Sequence, residues 1–174
     1  ILDMIMHFVQ KRHTKNEDYL HMVVCGPPGC GKTTFCRIVG KILSGLNVLP
    51  KDSFTTVKRT DMIAKYLGQT AHTTEKILKK CKGGVMFIDE AYSLAPRNSD
   101  RDSFAKEAID FLNQFLSEHK DDLCCIIAGY EDELEQTVFN MNEGLKRRFP
   151  WKFVIEKYTD EELLEIFKRM VIKS

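Results

Sequence analysis

Residues Gly26 to Thr33 read Gly-Pro-Pro-Gly-Cys-Gly-Lys-Thr, and no other stretch of the chain constrains its fold as tightly. Two glycines separated by four residues, then Lys and Thr, make a loop whose backbone N–H groups can turn inward around a chain of phosphates. Such a loop needs a strand before it and a helix after it. Met22-Val23-Val24-Cys25 is an apolar run suited to a buried strand, and Phe35, Ile38, Val39, Ile42 and Leu43 recur at helical spacing. The helix contributes the positive end of its dipole at the loop. Lys32 supplies a charge to the outer phosphates, and the Thr33 hydroxyl is a ligand for Mg²⁺. The nucleotide contacts are expected from Gly26, Pro27, Pro28, Gly29, Cys30, Gly31, Lys32, Thr33 and Thr34. A chance Gly-rich turn ending in Lys-Thr would not carry the matching strand and helix on its flanks. The pattern therefore calls for a nucleoside triphosphate.

A second motif adds hydrolysis to binding. Val85-Met86-Phe87-Ile88 is a continuous apolar run of the kind buried on both faces of a parallel sheet, and it ends in Asp89-Glu90. Carboxylates at the end of a buried strand are costly unless they meet a cation. At the carboxyl end of a parallel strand they would face the phosphate loop, where open α/β sheets bind ligands. Asp89 is then expected to hold the Mg²⁺ shell, and Glu90 to orient and deprotonate the attacking water. A solvated strand end is the plain alternative for such acids. Their position some fifty residues after the loop favours the catalytic reading.

Composition fits one α/β core. With 174 residues and 43% hydrophobic content, the chain can bury one such core and little more. Lys and Arg number 26 against 25 acids, so no general field favours nucleic acid or a membrane surface. No apolar stretch approaches the length of a membrane span. The six cysteines, Cys25, Cys30, Cys36, Cys81, Cys124 and Cys125, have no Cys-x-x-Cys spacing, which excludes the usual zinc patterns and suits a reduced intracellular compartment, the cytoplasm first. Position 1 is Ile and the first ten residues already pattern as an amphipathic helix. The chain is therefore expected to be a piece excised from a longer protein.

The remaining pattern alternates. A helix is expected over residues 1–12, strand 21–25, helix 32–44, strand 54–57, a helical stretch 60–65, and a helix over 73–81 that stops at Gly83-Gly84. Strand 85–89 follows, then a polar loop and a long helix with Phe104, Ala108, Phe111, Leu112, Phe115 and Leu116 on one face. Strand 123–128, a short helix over 131–139 and strand 151–155 complete the alternation, which argues for a parallel sheet covered on both faces. Thr159 and Glu162 form a capping box that opens a last helix. The expected organisation is an α/β phosphate-loop ATPase core over residues 1–155, and the start of a helical lid over 156–174.

Taken together these residues resemble the AAA+ ATPases, and within them the branch of red-type Rubisco activase and stage V sporulation protein K. The likeness runs from about Asn16 to the end. It rests on the phosphate loop, Asp61 to Gly68, Gly83-Gly84-Val85-Met86-Phe87-Ile88-Asp89-Glu90-Ala91-Tyr92, Ala128-Gly129-Tyr130 and Gly144-Leu145-Lys146-Arg147-Arg148-Phe149. It implies a five-stranded parallel sheet with the Asp89-Glu90 strand beside the phosphate-loop strand, a small helical lid, and homo-hexameric rings that use ATP and Mg²⁺ to remodel a protein substrate.

Three further assignments come from the resemblance. Tyr66-Leu67-Gly68 matches the aromatic–aliphatic–Gly pore loop that grips a polypeptide, although an aromatic beside Gly can equally be an interior anchor. Arg148 matches the arginine finger offered to a neighbouring subunit, with Arg147 next in line. Tyr130 falls at the polar sensor position, where Ala128-Gly129-Tyr130 departs from the common Thr-Asn. Three other classes compete with a protein-remodelling motor: an ATP-gated scaffold with little turnover, a clamp-loader or helicase-like motor on nucleic acid, and a small-molecule phosphotransferase, against which Glu90 and the candidate finger favour water as the acceptor. Glu90 argues against the first, and balanced charge with an aromatic pore motif against the second.

Overall fold

Short apolar runs build the centre of the molecule. In a computed structural model, which describes residues 2–9, 19–63, 70–95 and 102–172, they form β1 (Met22–Cys25), β2 (Phe54–Val57), β3 (Val85–Ile88), β4 (Cys124–Gly129) and β5 (Trp151–Val154). All pairings are parallel, in the order β2-β3-β4-β1-β5. Every residue of β1, β3 and β4 is buried, as expected for interior strands apolar on both faces. The edge strand β5 alternates instead, with Trp151 and Phe153 half-buried and Lys152 and Val154 exposed.

Successive side chains of a strand point to opposite faces, so each interior strand feeds two cores. Met22, Val24, Val85, Phe87, Cys124, Ile126 and Ala128 pack on one face under α1 (Leu2–Val9) and α2 (Lys32–Gly45). Val23, Cys25, Met86, Ile88, Cys125 and Ile127 pack on the other. That face is covered by α3 (Arg59–Met62), α4 (Thr70–Cys81), α5 (Asp102–Glu118), α6 (Glu131–Leu134) and α7 (Glu143–Lys146). Fully burying a side chain such as Phe87 or Ile126 contributes roughly 1.5–3 kcal/mol. Among the described residues no helix is long and apolar enough to cross a membrane. All six cysteines are free and buried, and burial pushes the Cys36 thiol up to about 12 and Cys81 up to about 11.

Several elements differ from the sequence reading. The expected neighbourhood of β3 and β1 is wrong, because β4 lies between them. After β1 the chain crosses to the far edge, and β2, β3 and β4 then fill the sheet inward, so β4 takes the place beside β1. Helix α4 begins at Thr70, earlier than expected. The Thr74 hydroxyl supports the early start, 2.7 Å from the Met62 carbonyl and 2.8 Å from that of Thr70. The buried stripe of α5 is Ala105, Ala108, Ile109, Leu112, Phe115 and Leu116, and Phe104 and Phe111 are only half-buried at its rim. Helix α6 runs on as a π-helical turn, Glu135–Phe139.

The capping box at the last helix, α8 (Asp160–Ile172), forms in both directions. The Thr159 N–H donates to Glu162 Oε2 at 2.8 Å, and the Glu162 N–H to Thr159 Oγ1 at 3.2 Å. None of its residues is buried.

His21, just ahead of β1, is fully buried. Its Nε2 donates to the Leu116 carbonyl at 3.3 Å while Nδ1 accepts the Cys125 N–H at 3.2 Å, which ties β1 to α5 and β4. Burial holds this imidazole neutral, pushing its pKa down to about 4.

Candidate functional site

The phosphate loop leaves β1 at Cys25 and enters α2 at Lys32, at the carboxyl edge of the sheet. Gly31 precedes the helix with φ 88°, a left-handed conformation that a residue with a Cβ adopts only with strain. Gly31 has no side chain to cap α2, so none of its own atoms occupies the first N–H groups of the helix, which suit an anion. The Lys32 ammonium folds back over the loop and donates to the carbonyls of Gly26 (2.9 Å) and Pro27 (2.8 Å). A phosphate would compete with those carbonyls for its three donors.

Gly26 is required for a different reason. A Cβ built there would lie 2.5 Å from the carbonyl oxygen of Ile155, which follows β5 and donates its N–H to Cys25 at 2.8 Å. Gly26→Ala is expected to lower stability by about 1–3 kcal/mol, the usual cost of overpacking against a backbone that is itself hydrogen-bonded. A thermal unfolding curve superimposable on that of the parent would show that the end of β5 yields freely.

Asp89 and Glu90 follow β3 at the same edge. They stand across β4 from the loop rather than beside it, and β4 ends there in Ala128-Gly129, which bears almost no side chain. One cleft of about 370 Å³ is lined by Pro28, Gly29, Gly31, Lys32, Thr33 and Thr34 on one side, and on the other by Asp89, Glu90, Tyr92, Gly129 and Tyr130. Glu90 adopts φ 48° and ψ 48°, an uncommon conformation for a residue other than glycine and one that gathers at functional sites. Its N–H donates to Asp89 Oδ1 at 3.0 Å, and its carbonyl accepts from Ser93 at 2.7 Å, which opens the 3-10 turn Ala91–Leu94.

The donors in the cleft suit Mg²⁺. The Thr33 hydroxyl and the Asp89 carboxylate are hard oxygen ligands lining one cavity. Among the described residues no group of three or more His, Cys, Asp or Glu could hold a metal by itself.

Other residues singled out in the sequence fall elsewhere. Cys30 is buried beneath the loop, and Pro27 contributes its carbonyl to Lys32 rather than a wall of the cleft. Arg148 does not line the cleft. It is half-buried, with Nε donating to Ser117 Oγ at 2.6 Å and Nη1 to the Gly144 carbonyl, while Arg147 beside it is exposed. Tyr66, Leu67 and Gly68 lie outside the described residues. The sequence reading assigned no role to Tyr92, although the cleft contains it. The signal was its place two residues after Glu90, where a tight turn keeps it at the same cleft.

Comparisons with known proteins agree with this geometry. Residues 22–155 match the family described as ATPase family associated with various cellular activities (AAA). Stage V sporulation protein K of Bacillus subtilis is 42% identical over 152 residues, covering 87% of this chain and 46% of that protein. Protein CfxQ of Xanthobacter flavus is 40% identical over 157 residues, covering 90% of this chain and 49% of the relative. The ESX-1 secretion system protein EccA1 of Mycobacterium tuberculosis (strain ATCC 25618 / H37Rv) is 43% identical over 147 residues, covering 84% of this chain and 26% of that protein. The chain thus spans less than half the length of these curated relatives. Among solved structures, the FIGL-1 AAA domain in complex with ADP superposes with a TM-score of 0.64 at 20% identity, covering 98% of this chain and 55% of that one, which is a likeness of fold.

Proposed function

The chain belongs to the AAA family of ATPases, and from that premise we propose that it binds ATP with Mg²⁺ in the cleft and hydrolyses it to ADP and phosphate. The observation that carries this reading is the meeting of Lys32, Thr33, Asp89 and Glu90 around one cavity. In this reading the loop N–H groups and Lys32 cradle the outer phosphates. The Glu90 carboxylate accepts a proton from a water as the water oxygen bonds to the γ-phosphorus. The bond to the bridging oxygen breaks, and ADP leaves with its electron pair. Mg²⁺ supplies charge neutralisation on the phosphate oxygens when bound, and Thr33 and Asp89 are the residues that would hold it.

We further read the chain as a subunit of a homo-hexameric ring that remodels a protein substrate. Support comes from the family membership and from the match of Arg148 and of Tyr66-Leu67-Gly68 to finger and pore-loop positions. The test is ATP turnover, measured with and without Mg²⁺ and then with candidate proteins against DNA or RNA. Stimulation by protein supports the remodelling reading. Stimulation by nucleic acid alone would shift it to a clamp-loader or helicase-like motor, and tight binding without turnover to a scaffold.

Tyr66 has its own test. As a pore aromatic it packs against an extended polypeptide and touches no nucleotide. Tyr66→Ala is then expected to keep basal turnover and the thermal midpoint while abolishing stimulation by the substrate. A buried anchor would instead lose roughly 3–5 kcal/mol on truncation, so a sharp fall in the midpoint would sink the pore assignment.

A further inference from the structure

Helix α5 carries a polar stripe beside its apolar one. Asp110, Asn113 and Ser117 follow one another at helical spacing and so share a face. Both ends of that stripe are bonded to the segment around α7. Asn142 caps α7 by accepting the Leu145 N–H on Oδ1 at 3.1 Å, and its Nδ2 donates to Asp110 Oδ1 at 2.8 Å. About two turns further along α5, Ser117 Oγ accepts the Arg148 Nε–H at 2.6 Å. The segment from Asn142 to Arg148 is therefore fastened to one helix at its start and at its arginine.

The Ser117 hydroxyl has a fixed direction. It donates its proton to the Asn113 carbonyl at 3.0 Å, the back-bond to residue i−4 that a helical serine can make. With that proton committed, oxygen lone pairs face the guanidinium, which can only donate. Arg148 Nη1 donates to the Gly144 carbonyl, and the guanidinium carbon lies 5.9 Å from the centre of the Tyr19 ring. The fit is close, since a Cβ on Gly144 would lie 3.3 Å from Nη1 and 3.0 Å from Asn142 Oδ1. These bonds use Nε and Nη1. The N–H groups of Nη2 make no hydrogen bond among the described residues.

We propose that Ser117 is a positioning residue for Arg148: its fixed hydroxyl holds the guanidinium by Nε and leaves Nη2 for a phosphate in the cleft of a neighbouring subunit. The proposal rests on the reading of Arg148 as the finger of a ring. A cation that stabilises developing charge acts best when its orientation is set beforehand. A long arginine side chain otherwise loses its rotamer freedom at the moment of contact. Here the bond to α5 removes that freedom within the subunit. The planar fork makes this possible, because a guanidinium held at one nitrogen still presents donors at another, as the point charge of a lysine does not.

The readout is turnover in assembled rings. Ser117→Ala keeps Arg148 and deletes its acceptor. It is expected to lower kcat by about 10–100-fold, as for a misplaced catalytic group, with affinity for a non-hydrolysable ATP analogue unchanged. Ser117→Thr retains the hydroxyl and should turn over as the parent does. Ser117→Val has the shape of that variant without the hydroxyl and should match Ser117→Ala, so the Thr and Val pair carries the comparison even where the Ala variant fails to assemble. In an Arg148→Ala background Ser117→Ala should cost nothing more, since residues acting as one unit are not additive.

The loss must also belong to the neighbour's cleft. Mixing Ser117→Ala with Lys32→Ala chains pairs intact clefts with well-held arginines and should return part of the activity. A serine that only supported its own subunit would gain nothing from a partner. Parental kcat in Ser117→Ala or Ser117→Val would overturn the proposal. So would a loss that persists in full in the Arg148→Ala background, or in mixed rings of verified composition. The finger reading fails separately: Arg148→Ala at parental turnover removes it, and this inference with it. A slow Arg148→Ala beside a parental Ser117→Ala removes the inference alone.

Discussion

Glu90→Gln will bind ATP as the parent does and hydrolyse it about 10²–10⁴-fold more slowly, the usual cost of removing a general base. The amide is nearly isosteric with the carboxylate and lines the same cleft, so the contacts of Lys32 and Thr33 with phosphate are retained. It has no capacity to take a proton from water. The left-handed backbone at residue 90 is set by the turn it opens, through the Ser93 N–H bond to its carbonyl, and is unaffected by the change. Lys32→Ala gives the contrasting signature, a loss of binding with no phosphate-facing ammonium left. The comparison needs binding and turnover measured on the same preparation. Parental turnover by the Gln variant would show that water is activated by another group.

Arg148→Ala in an assembled ring will lower turnover by about 10³-fold or more if the residue is the finger for a neighbouring subunit, since such an arginine contributes 10³–10⁵. Its setting within one subunit makes this a demanding test. Nε is held by Ser117 Oγ, Nη1 by the Gly144 carbonyl, and the guanidinium lies 5.9 Å from the centre of the Tyr19 ring. Reaching a neighbour would require those bonds to be exchanged or the remaining donors to be used. A purely structural Arg148 would behave differently: the variant would lose roughly 1.5–3 kcal/mol for each hydrogen bond to the charged group, and turnover would depend on the exposed Arg147. Mixing Arg148→Ala with Lys32→Ala chains distinguishes the cases. Mixed interfaces pair an intact cleft with an intact arginine, so a trans finger restores part of the activity. No recovery in mixed rings of verified composition would assign Arg148 to the subunit interior.

Several features were legible in the residues because they are local. The phosphate loop is written in consecutive positions, and its glycines and Lys-Thr ending serve a geometry confined to the stretch from Gly26 to Thr33. The buried strands are legible because four apolar residues in a row can only lie between two covered faces. The α8 capping box is legible because both partners sit three residues apart. The order of the strands is not local. Nothing in Val85–Ile88 or Met22–Cys25 states that Cys124–Gly129 will pass between them, since all three are apolar and suit any interior place. Whether Phe104 lies in the core or at its rim depends on the angle at which α5 meets the sheet.

The sequence alone pointed to the residues that could cradle phosphate, because the loop is written in short-range backbone geometry, and to Asp89 and Glu90 as the acids closing an apolar strand, both of which the fold leaves exposed rather than buried. Tertiary structure decided what those residues meet. It set Asp89 and Glu90 across the small end of β4 from the loop, folded Tyr92 back onto Tyr130, and held Arg148 against Ser117 and Gly144. Each of these contacts joins residues far apart in the chain, or depends on a turn whose direction packing sets, and no periodicity or spacing encodes such a meeting.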